Sequence, residues 1–193
     1  MKTVFFDVDT QIDFMLPAGA LYVPGAETIL PAIARLNRWA AAHSIPVIST
    51  TDAHAEDDPE FAQWPPHCVA GTAGQHKPAG TLLDKRVVVA SITGEYPIED
   101  AQQIILETPA LDCFTNPNLL GLIEKLDAGR CVVYGVVTEI CVRLAALGLL
   151  RTGRQVELVT DATKALSEEA AARALDEIVR AGGRLTTVDQ VCA

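Results

Sequence analysis

At 193 residues and 49% hydrophobic content, the chain is long enough for one domain with a sizeable buried core and cramped for two. A net charge of -10 sets it against phosphate backbones and anionic lipid, so nucleic acid and membranes are excluded as partners and a small neutral or cationic ligand is favoured. No window reaches the ~18 apolar residues that span a bilayer, and the opening "MKTVFFDVD" turns acidic before a signal-peptide core could form, so a cytosolic protein is expected.

The first element is "TVFFDV" at 3–8, which reads as a buried strand. Ile29, Ile33, Leu36 and Ala40 then share one face of a helix over about 27–43, and "PVIST" at 46–50 is the second strand. An acidic loop follows, "TDAHAEDDPEFAQWPPHC" at 51–68. Beyond it come strands "RVVVAS" at 86–91 and "QIILE" at 103–107, a leucine-rich helix from about Asn118 to Leu126, and the strand "CVVYGVV" at 131–137. "TEICVRLAALGLL" is a helix apolar on nearly every side, which implies that it is sandwiched between layers. "VELVT" at 156–160, the helix "SEEAAARALDEIVRAGG" and "RLTTV" complete the pattern.

Repeated strand–helix–strand order predicts a three-layer α/β/α fold over 1–193, a doubly wound, mostly parallel sheet of about six strands. Ligands of such sheets lie at the carboxyl ends of the strands. Asp9 follows the first strand, Asp52 and His54 follow the second, and Cys141 follows "CVVYGVV". With Thr138 as N-cap, Cys141 falls in the first turn of a helix, where backbone N–H groups favour a thiolate; the alternative is a small buried hydrophobe. The other cysteines, at 68, 113, 131 and 192, form no C-x-x-C pair, which argues against a disulfide framework or thiolate zinc knuckle. Cys113, Cys131 and Cys192 are read as inert thiols, and His43 and His76 as surface residues.

In the acidic loop, Asp52 and His54 are two apart on an extended segment and can face one ion, with Glu60 and His67 able to complete the set. Two imidazoles and two carboxylates suit a divalent metal, chiefly Zn with Mn or Fe as alternatives. Glu56, Asp57 and Asp58 compete with Glu60 for the fourth place. The competing reading is a solvated loop with His67 wedged beside Trp64.

"FFDVDTQIDF" admits two resemblances. Asp7, Asp9 and Thr10 mimic the opening of a haloacid dehalogenase-type phosphatase, but Thr10-Gln11 replaces the usual Gly-Thr and Asp161 stands alone where an acidic pair would hold magnesium. The block Asp9, Gln11, Asp13 and Phe14 (D-x-Q-x-D-F) resembles the opening of the isochorismatase-like cysteine hydrolases, the superfamily that includes nicotinamidases. "GVVTEICV" at 135–142 is similar to their nucleophile segment, and "PPHCVAGT" at 65–72 and "DCFTNPNL" at 112–119 match two further blocks in the right order.

The resemblance implies a Rossmann-like isochorismatase fold, hydrolysis of a small amide through a Cys141 thioester, and Asp9 as proton acceptor. It also implies a metal on Asp52, His54, Glu60 and His67 that binds a pyridine ring nitrogen. Oxyanion donors would be the Val137 and Cys141 backbone N–H groups beside a non-proline cis peptide between Val136 and Val137. Phe14 and Trp64 would line the substrate pocket, and a homo-oligomer is expected. The family's catalytic lysine falls on Thr108, where a hydroxyl cannot replace a charge. The chemistry is then slow or altered, a loop brings another cation such as Lys77 or Lys85, or the fold binds metal or ligand without catalysis. Val137 stands where alanine is usual and narrows the pocket, which counts against nicotinamide itself as the substrate.

Overall fold

The computed structural model describes residues 2–193. Strands β1 (Lys2–Val8), β2 (Val47–Asp52), β3 (Arg86–Val89), β4 (Gln103–Thr108), β5 (Ala128–Val136), β6 (Gln155–Lys164) and β7 (Arg184–Thr186) form one sheet in the order β3-β4-β2-β1-β5-β6-β7, with every neighbouring pair parallel. The seventh strand exceeds the six expected. It is a short edge strand, three residues long, of which Arg184 and Leu185 are exposed, so it leaves little hydrophobic signal.

The helices are α1 (Ile12–Met15), α2 (Leu30–Ala42), α3 (Leu119–Lys125), α4 (Arg143–Arg151), α5 (Glu168–Arg180) and α6 (Val188–Val191). The expected helix over 27–43 is split into a 3-10 turn, Ala26–Ile29, and α2, whose Pro31 sits in its first turn where a missing N–H is harmless. Both faces of the sheet are covered, because alternate residues of each central strand feed opposite cores. Val4, Phe6, Val8, Cys131 and Val133 pack on one side with α3, α4 and α5, while Phe5, Val132, Tyr134 and Val136 pack on the other with α2 and α6. Among the described residues no helix is long and apolar enough to cross a membrane.

From β1 the chain crosses to β2 on one side, while β5 lies on the other, so the carboxyl ends of β1 and β5 flank a topological switch point. The two strands approach closely there. A Cβ on Gly135, which has φ 122°, would lie 2.1 Å from the Val8 carbonyl oxygen, so only glycine fits. The Val136–Val137 peptide immediately after it is cis, as expected.

Candidate active site

A pocket opens at this switch point, lined by Asp9, Phe14, Leu21, Val23, Asp52, Glu60, Trp64, His67, Leu111, Val136, Val137, Ile140, Cys141 and Leu166. Asp9 and Cys141, 132 positions apart in the sequence, are brought into hydrogen-bond contact, thiol to carboxylate. The Asp9 carboxylate also accepts the Thr50 hydroxyl, and its backbone adopts φ 50°.

Thr138 is not the N-cap expected of it. It begins a π-helical turn, Thr138–Val142, that runs into α4, and Cys141 sits inside that turn with Val137 at the cap position. Such wide turns occur often at functional sites. Nor is the thiol acidic. The Val137 N–H favours the thiolate, but burial first, then the Asp9 and Asp52 carboxylates, push the Cys141 thiol well above its ordinary range. Asp9 is raised as well, to about 8, by burial and then by Asp52, against the lowering influence of Thr50, Cys141 and Lys77.

The motif around Asp9 assembles the second cluster. Gln11 clasps the end of β2: its amide donates to the Asp52 carbonyl at 2.8 Å and accepts from the Asp52 N–H at 2.7 Å, while also donating to the Gln75 carbonyl at 2.8 Å. Asp13 accepts the Cys68 N–H at 2.7 Å and so anchors the residue after His67. Asp13 is also closely overlain, because a Cβ on Gly74 would fall 2.1 Å from its carboxylate.

Asp52, His54 and His67 are all buried and offer ligand atoms within 4.8 Å of one another. His54 Nε2 and His67 Nε2 lie 3.7 and 3.9 Å from Asp52 Oδ2, spacings that suit a central ion with bonds of ~2.0–2.2 Å. The far nitrogen of each ring is fixed: His54 Nδ1 contacts Asp58 at 3.1 Å and His67 Nδ1 contacts the Pro65 carbonyl at 2.8 Å. Phe61 stands edge-on to both imidazoles.

Buried His54 Nε2 and Glu60 Oε1 have no hydrogen-bond partner, as expected of donors meant for a cation. Burial works against a charged His54 ring, but Asp52 and Asp58 outweigh it and raise its pKa to about 9. Glu60 is raised by burial. It stands at the margin of the cluster, with Oε1 3.9 Å from His67 Nε2, while its neighbours Glu56 and Asp57 face solvent. The residues present therefore fit a divalent metal.

Thr108, at the end of β4, pairs in register with Asp52 and donates its hydroxyl to Asp52 Oδ1 at 3.2 Å. It supplies no charge. Lys85 and Lys125 are exposed, and Lys125 is paired with Glu99. Lys77, by contrast, is buried, and it pairs with Asp7 at 2.9 Å. Asp7 also accepts from Asn37 on α2 and Ser49 on β2, and it does not line the pocket, which removes the aspartate nucleophile that a phosphatase would need.

The isochorismatase domain matches residues 3–190. The chain belongs to the isochorismatase family. It is 26% identical to nicotinamidase of Escherichia coli, over 94% of this chain and 92% of that protein, and 28% identical to nicotinamidase/pyrazinamidase of Mycobacterium tuberculosis, over 96% of each. The crystal structure of Pyrococcus horikoshii pyrazinamidase in complex with zinc superposes with a TM-score of 0.80 at 30% identity, covering 97% of this chain and 99% of that one.

The sequence blocks located Asp9, Cys141 and the ligand loop. They did not reveal the pocket wall of Leu21, Val23, Leu111, Ile140 and Leu166, because lone aliphatic residues on separate loops carry no spacing signal. Leu166 is held at the mouth by Glu139, whose Oε1 accepts the Leu166 and Ser167 N–H groups at 3.0 and 2.9 Å. An acidic residue two before the cysteine was the only available hint.

Proposed function

We propose that the protein is a metal-dependent amidohydrolase that converts a small aromatic amide of the nicotinamide type to its acid through a Cys141 thioester. The observation that carries this reading is the contact between the Asp9 carboxylate and the Cys141 thiol in a largely apolar pocket that Asp52 and His67 also line. Nicotinamidases and a zinc-bound pyrazinamidase among the relatives support the substrate class and favour zinc over manganese or iron.

In this mechanism Asp9 accepts the thiol proton as sulfur attacks the amide carbonyl, and the proton passes to the leaving nitrogen, which departs as ammonia. Asp9 then takes a proton from water, whose oxygen attacks the thioester; the acid leaves and the thiol is restored. The Val137 and Cys141 backbone N–H groups serve the oxyanion. Asp52, His54 and His67, with Glu60 at the margin, would hold the metal, which would supply a Lewis-acid site for a ring nitrogen. Phe14 and Trp64 flank the flat ring, and Val137 limits its depth.

The decisive experiment incubates zinc-loaded protein with nicotinamide and with pyrazinamide. Ammonia release together with an acyl adduct mapped to Cys141 by mass spectrometry is expected, and both should vanish in Cys141→Ala. Ammonia release that persists in that variant would rule out the thiol mechanism.

A further inference from the structure

Lys77 is the only lysine or arginine buried among the described residues, and the mechanism above does not use it. Its ammonium donates to the Thr10 hydroxyl and pairs with Asp7 Oδ2 at 2.9 Å, while the Thr10 hydroxyl donates to Asp7 Oδ1 at 2.7 Å. The three side chains therefore close a ring of charge-assisted hydrogen bonds away from water. Asn37 and Ser49 donate to the same Asp7 oxygen from α2 and β2, and Tyr134 on β5 donates to Asn37. Asp7 Oδ2 is thus tied to both α2 and β2 as well as to Lys77.

The ring grips the chain on both sides of Asp9. Asp7 precedes it by two residues, Thr10 follows it, and Asp9 between them holds φ 50°, a left-handed conformation uncommon outside glycine that aspartate is among the better residues at adopting. The backbone adds a second bond, since the Ile12 N–H donates to the carbonyl of His76, the residue before Lys77. A direct charge effect on Asp9 is the weaker reading, because an ammonium already paired at 2.9 Å acts outward as a dipole and its field falls off quickly.

We propose that Lys77 is a positioning residue for Asp9: through Thr10 and Asp7 it fixes the turn that aims the Asp9 carboxylate at Cys141. The consequence for hydrolysis rests on the amidase reading; the geometric claim does not. A misplacement of about 1 Å can cost ~10²-fold in rate, so a slackened ring should lower turnover strongly while leaving ring binding intact.

The test compares Lys77→Met, Lys77→Arg and the paired Asp7→Leu/Lys77→Met variant, with exposed Lys85→Met as control. The paired variant is included because Lys77→Met alone strands a buried carboxylate and can fail to fold, whereas removing both charges avoids that. Two readouts are taken on protein that melts cooperatively: kcat and KM for nicotinamide, and the rate of Cys141 alkylation by iodoacetamide at one neutral pH. We expect the paired variant to lose tenfold or more in kcat with KM within about twofold, and its Cys141 alkylation to slow similarly, with Lys77→Arg recovering part of both. Lys85→Met should match the parent. A folded paired variant with parental kcat, or with parental or faster alkylation, overturns the proposal. If the parent hydrolyses no amide but alkylation still slows in the paired variant, the amidase reading falls and the positioning role stands.

Discussion

Asp7 and Asp9 sit two residues apart at the end of one strand, both buried, and the fold treats them oppositely. Asp7 is surrounded by donors: the Lys77 ammonium, the Thr10 and Ser49 hydroxyls and the Asn37 amide. Asp9 has a hydroxyl and a thiol, faces the Asp52 carboxylate across the pocket, and is raised to about 8. Burial alone therefore does not decide what an aspartate does. A carboxylate supplied with a cation and three donors is a fixture, and one denied them titrates near neutral pH, where it can exchange a proton with its neighbour.

The sharpest way to test this contrast is to neutralise each residue. Asp9→Asn should cut nicotinamide turnover by ~10²–10⁴-fold, the usual weight of a general base, while folding normally; a loss under tenfold would break the assignment. Asp7→Asn should act on stability, lowering the unfolding free energy in urea by ~3–5 kcal/mol because the buried Lys77 charge loses its partner. Equal stability loss in both variants would erase the distinction.

The pH dependence carries a definite sign. In metal-free protein the folded chain retains a proton on Asp9 up to about 8 and on His54 up to about 9, above the values of 3.8 and 6.5 that these groups have when unperturbed. The folded state binds more protons across that window, so stability should fall as pH rises from about 4 to about 9 in chelator-treated samples, read by urea unfolding. A rise over that interval contradicts the raised values. For the same reason, zinc binding near pH 7 should displace about one proton from His54, seen by calorimetry in buffers of different ionisation enthalpy. The smallest effect concerns Thr108→Lys, which would give the Asp9 side of the sheet a cation such as Asp7 already has. The pH at which Cys141 becomes reactive to iodoacetamide should move downward, and no movement would mean that the new ammonium is spent on Asp52.

Much of this was legible in the sequence because two strong signals coincide. Continuous apolar runs locate β1, β2 and β5, helical spacing locates α2, and three motif blocks single out Asp9, Cys141 and the acidic loop. Edge strand β7 is short and half-polar, so it shows no run of its own. The π-helical turn at Cys141 looks identical to an α-helix start in a linear pattern, since the same residues satisfy both. The Lys77–Thr10 contact spans 67 positions, and Gln11 reaches 41 positions to Asp52. Contacts of that range leave no periodicity. The absence of lysine at 108 was visible at once, whereas the interior location of Lys77 needed coordinates.

Gly74 is not among the residues lining the pocket, yet it leaves no room for even a methyl group above the Asp13 carboxylate that tethers Cys68 beside His67. A saturation screen scored on turnover should therefore find dead substitutions at this outlying spot, with every chemical group of the reaction still in place. For anyone redesigning the pocket, the loop from 68 to 77 is best treated as part of the machinery and left untouched, however distant it looks from the substrate.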